Sequence, residues 1–525
     1  PRYGVELTAD NQNITTDLSY SAGKAGKQGF EGLFSWLGGN AANTITVAKD
    51  AALTAVDSDN IYGTINVAAN MDTVLTNLAG AAAWGTGGAS MGASVAVTDE
   101  TITNTISLGG TLNAHSLDVN ALTDGSINTV SIAGSLATEN SNANTTKAGD
   151  QLAAQSDSAK VSAAETRGNK ASTAAQQAAA AEVKSANTAT ENTAQIGTNP
   201  AGTADEDKVT ANSAGIAAAE KHNQAGPSLN LAAAGSASVN LVTQTTRANL
   251  NQAEVTLHEN IGAEGEAVAR PVNVKAEDGS FVGAWSGAAA MAWQPSAAAK
   301  VTTAAKDSKL DTRTDIDTAT DEKSKQSDAG AVSQQTTADV TEEMLTKRNA
   351  AKAALAGTAA VNAITKDVHA AFTDVTIVKA TAVKNIAQSD GAAVAAALAP
   401  GLTDAAKDSG TSLGAASVNA SNNTIEALLK NVTMTDSDGS NVYNLAYDSD
   451  TQIAGGVNAA LALGGKMGMG AGGTLAVSDI QNNLSATISG GSLTAGNGNS
   501  SAALGNVLNH AANEITQVTT ALGVS

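Results

Sequence analysis

Apolar and polar residues alternate one for one through long stretches of this chain, as in Ser94–Val97, in Thr101–Leu108, and at Val272, Val274 and Ala276 with Thr, Asn, Ser and Asp in the positions between. A period of two sends one set of side chains inward and the other outward, so these stretches predict β-strands. The runs also recur in a fixed order. Openings read LTAVDSDNIYGTINVA from Leu53, LDVNALTDGSINTVSIAGSLA from Leu117, VNVKAEDGSFVGAWSGAAA from Val272 and VTMTDSDGSNVYNLAYDS from Val432, with Asp57, Asp124, Asp278 and Asp436 as turn residues. A downstream half follows each opening, GASVAVTDETITNTISL from Gly92, GSASVNLVTQTTRANL from Gly235, GAASVNASNNTIEALL from Gly414 and GGTLAVSDIQNNLSATI from Gly472. Self-similarity in fixed order marks an array of stacked units. The interval of about 64 residues from Leu53 to Leu117 fits three coils of twenty-odd residues each.

Two of the four copies carry extra chain between their halves, and its texture differs. From about Asn142 to Asn223 the chain is rich in Ala with Lys, Glu and Gln, a composition of strong helix propensity. The second insert shows an apolar series, Val340, Met344, Leu355, Val361, Ile364, Val368, Ala371 and Val375, mostly at steps of three and four. The predicted fold is therefore mainly β with helical insertions, a right-handed parallel β-helix bearing Ala-rich α-helical hairpin arms. Its divisions are a β-solenoid over 1–137, a helical insert over 138–224, solenoid over 225–295, a second helical insert over 296–412 and solenoid over 413–525. A β-sandwich array is the alternative body, disorder the alternative for the first insert, and FTDVTIVKATAVKN leaves a strand open in the second.

Composition narrows the class. Aromatic residues make up 2% of 525 residues, so the core must be thin and filled by Val, Ile, Leu and Ala. With no cysteine there is no disulfide framework and no thiolate chemistry. A net charge of -21 argues against nucleic acid as partner, because phosphates would be repelled. No apolar run is long enough to predict a membrane span. The ends, PRYGVELTAD and TTALGVS, read as those of a segment or a mature form.

Motifs that carry chemistry are sparse, and the sequence nominates no catalytic, cofactor or metal residue. His115, His222, His258, His369 and His510 are scattered without metal-ligand spacing. Gly468, Gly470 and Gly473 satisfy G-x-G-x-x-G, but TLAVSDIQ follows in place of a helix. Asp57 with Asp59 and Asp436 with Asp438 could chelate calcium, although turn formation is the simpler use of such pairs. Trp84, Trp285 and Trp293 could stack on sugars or pack beneath the inserts. An enzyme acting on polysaccharides would need clustered acidic and basic residues in a groove, and the body segments carry few Arg or Lys.

The order VxVxA-D-G-S followed by A-G-A-A and then G-A-S-V-A-V resembles the repeats of the large filamentous adhesins related to filamentous haemagglutinin, especially the leukotoxin-type filamentous adhesins. The likeness covers roughly Leu53–Ala137, Ala225–Trp293 and Leu413–Gly496. It implies type V secretion, a parallel β-helix, placement at the bacterial cell surface and display as a fibre. Expected partners are host or neighbouring-cell receptors or glycans, or further copies of the chain. A self-assembling filament or surface-layer subunit is the second expectation, and a polysaccharide-active enzyme the third.

Overall fold

The computed structural model describes residues 4–25, 28–57, 59–85, 89–138, 230–260, 269–293, 308–311, 333–336, 352–405, 408–437, 440–464, 467–493 and 505–524. Two parallel sheets dominate it, one of 11 strands and one of 7. The larger, sheet A, begins with three unbroken strands, β1 (Gly4–Ala25), β4 (Thr64–Gly85) and β6 (Ser116–Thr138). Four rungs broken in two follow, β8 (Pro271–Asp278) with β9 (Phe281–Trp293), β13 (Ala382–Ser389) with β14 (Ala392–Ala405), β16 (Asn441–Asp448) with β17 (Thr451–Gly464), and β19 (Val507–Asn513) with β20 (Thr516–Val524). Sheet B stacks β2 (Gln28–Val47) and β3 (Ala52–Thr54), then β5 (Ala89–Ala114), β7 (Asn230–Leu257), β12 (Lys352–Val378), β15 (Asp408–Thr435) and β18 (Met467–Ser489). The chain crosses A, then B, then returns to A one rung further along. A short antiparallel pair, β10 (Ser308–Asp311) with β11 (Ser333–Thr336), forms a separate two-stranded sheet, with β11 near β15 and β18.

In-register pairing forces like residues into columns. Partners on adjacent rungs lie between 52 residues apart, as for Thr64 and Ser116, and 65 apart, as for Asn444 and Asn509, wherever no insert intervenes. Facing inward from sheet A, Val5, Ile65, Leu117, Val272, Val383, Val442 and Val507 form one column. Four residues further along each rung, Ala9, Ala69, Ala121, Ala276, Ala387, Ala446 and Ala511 form a second column that is alanine on every rung. Ile106, Ala248, Ala370 and Ala427, with Leu108, Leu250, Phe372 and Leu429 beside them, close over these columns from sheet B. Small side chains let the sheets approach, and Val and Leu fill what remains, which is how a core forms with so few aromatic rings.

Three sequence expectations are overturned. First, no helix occurs among the described residues, so the helical insertions fall. The predicted helical insert over 296–412 contains strands β12, β13 and β14, while the Ala-rich insert over 138–224 lies outside the described residues apart from Thr138, the last residue of β6. The stripe from Val361 to Val375 was a coincidence of spacing. What places β12 is Gly357-x-x-x-Val361-Asn362, which stacks rung on rung between Gly235-x-x-x-Val239-Asn240 and Gly414-x-x-x-Val418-Asn419. Helix propensity of Ala is a preference below about 1 kcal/mol per residue, and two neighbouring ladders with a buried face outweigh it. Second, one interval of about 64 residues is a single circuit of two long strands, not three short coils. Third, the openings are not all equivalent. Leu117 and Val272 pair with each other, but Leu53 sits at the far end of sheet B beside Leu112, and Val432 beside Val375.

Candidate functional site

Where sheets A and B meet near the break in the A rungs, the core turns from apolar to charged. The sheet A column at this level runs Met71, Thr123, Asp278, Ser389, Asp448, and the facing sheet B column runs Ala41, Ile102, Gln244, Lys366, Asn423, Asn482. On the first two rungs Met71, Ala41 and Ile102 pack together in an apolar cluster. From the fourth rung, the backbone turn after β8, after β13 and after β16 brings Asp278, Ser389 and the Asp448–Asp450 pair inward around Lys366.

Lys366 is 3% exposed. Its Nζ lies 3.3 Å from Asp278 Oδ1, 3.3 and 3.2 Å from Asp450 Oδ1 and Oδ2, and donates to Ser389 Oγ at 3.1 Å. Asp450 Oδ1 also accepts from the Ser389 hydroxyl and the Gly391 N–H, both at 2.8 Å, while Oδ2 accepts from Asn423 Nδ2 at 3.0 Å. Asp278 Oδ1 accepts from the Ser280 N–H at 3.2 Å and hydroxyl at 2.7 Å, and its Oδ2 is buried with no hydrogen-bond partner. Burial alone would favour a neutral amine, but the Asp278 and Asp450 carboxylates outweigh it and hold Lys366 protonated above the usual lysine range. Desolvation, reinforced by the charge of Asp450, pushes the Asp448 carboxyl up to about 6.

A second feature lies on the outer face of sheet A. An open groove of about 860 Å³ runs across the late part of the rungs, along Trp84, Leu136, Met291, Leu402 and Leu461, with Lys24 at its first rung. Lys24 Nζ stands 4.4 Å from the Trp84 ring centroid, and Trp84 is 41% exposed. The early part of the same face is polar, with Asn273 donating to Asp118 at 2.6 Å and Lys275 paired with Glu277.

Residues weighed from sequence fall as follows. Asp57 Oδ1 accepts from the Asp59 and Ile61 N–H groups at 2.9 and 2.7 Å, a turn-forming use, and Asp436 holds a positive φ of 51°. Asp124 likewise bonds the Gly125 N–H at 2.7 Å. Asp438 and His222 lie outside the described residues. His258 stacks on Tyr62 at 3.6 Å, His369 faces Glu426 at 3.1 Å, and His510 meets the edge of Tyr447. No group of three metal-ligating side chains occurs among the described residues. Gly468, Gly470 and Gly473 lie within β18, a strand. Trp285 stands on the column of Val130 and Ala396 while Trp84 stands on that of Leu136, three same-face columns along, so the two are not equivalent positions. Sequence reasoning passed over Lys366 because its neighbours in the chain suggested a helix, and Asp278 because it read as a turn. Only the register places their side chains together. Comparison with protein-family models, with curated proteins and with solved structures finds no match.

Proposed function

We propose that this chain is a structural shaft segment of an extracellular bacterial filamentous adhesin. The observation that carries this reading is the column of alanine repeated in register on all seven rungs of sheet A, the mark of a body that grows by adding identical layers. Each rung stacks on its neighbours, so length is set by the number of copies. The likeness of the repeats to filamentous adhesins supplies the adhesive role and the cell-surface location. Host or neighbouring-cell receptors and glycans are the proposed partners. No helix among the described residues is long and apolar enough to cross a membrane.

Beads coated with the purified chain test the reading. They should attach to cultured epithelial cells or to neighbouring bacteria, and soluble chain should compete. Attachment no greater than that of uncoated beads would overturn the adhesive role. End-to-end assembly is a second reading, favoured by the in-register parallel stacking of like residues from rung to rung, which a rung of a second copy could continue. Sedimentation that grows with concentration would support it, and a constant monomer would remove it.

A further inference from the structure

We propose that Lys366 and Asp450 become joined by an amide bond, a covalent tie between the fourth rung of sheet B and the sixth rung of sheet A that the folded chain forms without a further reagent. This goes beyond the shaft role and does not depend on it. The partners are 84 residues apart in sequence and meet in a site shielded by both sheets, with side chains 3% and 6% exposed.

The arrangement holds each group that amide formation needs. Nζ is nearly equidistant from the two Asp450 oxygens, 3.3 and 3.2 Å away, so the nucleophile faces the carboxyl group as a whole and not a single oxygen. Addition to Cγ would gather negative charge on Oδ1, where the Ser389 hydroxyl and the Gly391 N–H already donate at 2.8 Å. A carboxylate must take a proton from the ammonium first, and Asp278 Oδ1 stands 3.3 Å from Nζ, while Oδ2 of the same carboxylate is buried with no hydrogen-bond partner and can carry the proton. The low exposure of both side chains, 3% and 6%, disfavours hydrolysis of the product. Gly391 is part of the fit, since a Cβ there would stand 2.3 Å from Nζ.

The step balances within the chain. Asp278 accepts one proton from the Lys366 ammonium, and the neutral amine adds to Cγ of Asp450. The Nζ–Cγ bond forms, the Cγ–Oδ2 bond breaks, and Oδ2 departs as water with the two protons that Nζ has shed, one of them relayed by Asp278. Nothing is oxidised or reduced.

Intact-mass measurement of the denatured full chain, followed by peptide mapping, is the test. The wild-type chain should be lighter than its sequence by one water, and a proteolytic fragment should contain both Lys366 and Asp450. Lys366→Arg should have the full sequence mass. Asp278→Asn, which keeps the amine and its acceptor, should accumulate unlinked chain, and linkage at the wild-type rate would remove Asp278 from the mechanism. The four Asp-Gly sequences, at Asp124, Asp278, Asp390 and Asp438, can also lose water as succinimides, so each sample is measured again after mild alkaline treatment, which opens a succinimide and leaves an amide. Full mass for the wild-type chain, a water loss that alkali reverses, or a linked fragment with an acceptor other than Asp450 would each overturn the proposal. Should Asp278→Asn fail to fold, wild type and Lys366→Arg still decide it.

Discussion

The first two rungs and the last three solve one problem from opposite sides. Near the start, asparagines on sheet B reach across the core: Asn104 Nδ2 donates to the carbonyls of Ala69 and Leu122 on sheet A at 2.9 and 2.7 Å, and Asn43 does the same for Asn70 at 3.1 Å. Facing them on sheet A are Leu7, Val67 and Val119. Near the end the roles are exchanged. Asn385, Asn444 and Asn509 now occupy the sheet A column, donating to Ala370, Ala427 and Ala486 on sheet B, while Val368, Ile425 and Leu484 stand where asparagine stood before. One polar amide and one branched apolar side chain fill the gap in either arrangement. The lesson is that the gap between sheets sets a volume and a number of hydrogen bonds, and does not dictate which strand supplies them. Thr246, next to Asn104, and Val274, next to Asn385, end the two asparagine columns and mark the changeover.

The charged cluster belongs to the changeover and the rungs beyond it, so the largest expected effect is there. Lys366→Met should cost at least about 3–5 kcal/mol in denaturant unfolding, because it leaves Asp278 and Asp450 buried without a cationic partner and also removes any tie to Asp450, whereas Ile102→Met at the same column on rung two should cost under about 1.5 kcal/mol. Equal losses at the two positions would show that the regions do not differ electrostatically. Ala276→Leu tests what both regions share: overpacking the alanine column should cost about 1–3 kcal/mol on any rung, and the same change at Ala121 should match it.

The ladder itself can be moved. Asn385 is the first of its column, and its Oδ1 is buried without a partner because Val274 lies on the next rung. Val274→Asn should supply the missing donor, and its unfolding free energy should exceed that of Val119→Asn, which has no such neighbour, by about 1–3 kcal/mol. The two variants falling together would break the account of the changeover.

Protonation gives a smaller effect. Asp448 is held up at about 6 in the folded chain, above an ordinary unfolded aspartate. The native state therefore binds the proton more tightly, and this group's contribution to stability should fall as pH rises from about 4 to about 6. Melting temperatures of wild type and Asp448→Asn across that window should converge at the acid end and separate toward neutrality, with wild type the less stable of the two. A wild type that gains on the variant with rising pH would reverse the assigned cause. Smallest of all, Trp84→Ala on the open groove should shift stability by about 0.5 kcal/mol or less, since the ring has little packing to lose.

Much of the body was legible because a buried two-sided core imposes a period of two, and because stacking repeats that pattern in order. The downstream halves at Gly235, Gly414 and Gly473 fall in register as their G-x-x-x-V-N-like spelling suggested, and the same spelling at Gly357 was available but was masked by surrounding alanine. Alanine reads as helix in isolation and as close sheet packing in a stack, and a local window does not separate the two. The charged site was illegible for another reason. Lys366, Asp278 and Asp450 lie on three rungs, and no fixed spacing links them because inserts of unequal length intervene.

Sequence by itself determined the repeat, the small-residue core, the acidic surface and the absence of cysteine chemistry, because each of these is a property of composition or period. Tertiary structure alone decided which rungs are neighbours, that the second insert contributes strands, which sheet supplies each asparagine, and that one lysine is enclosed by carboxylates. Those features depend on register between distant segments, and register is fixed only when the sheets close on each other and bury the side chains between them.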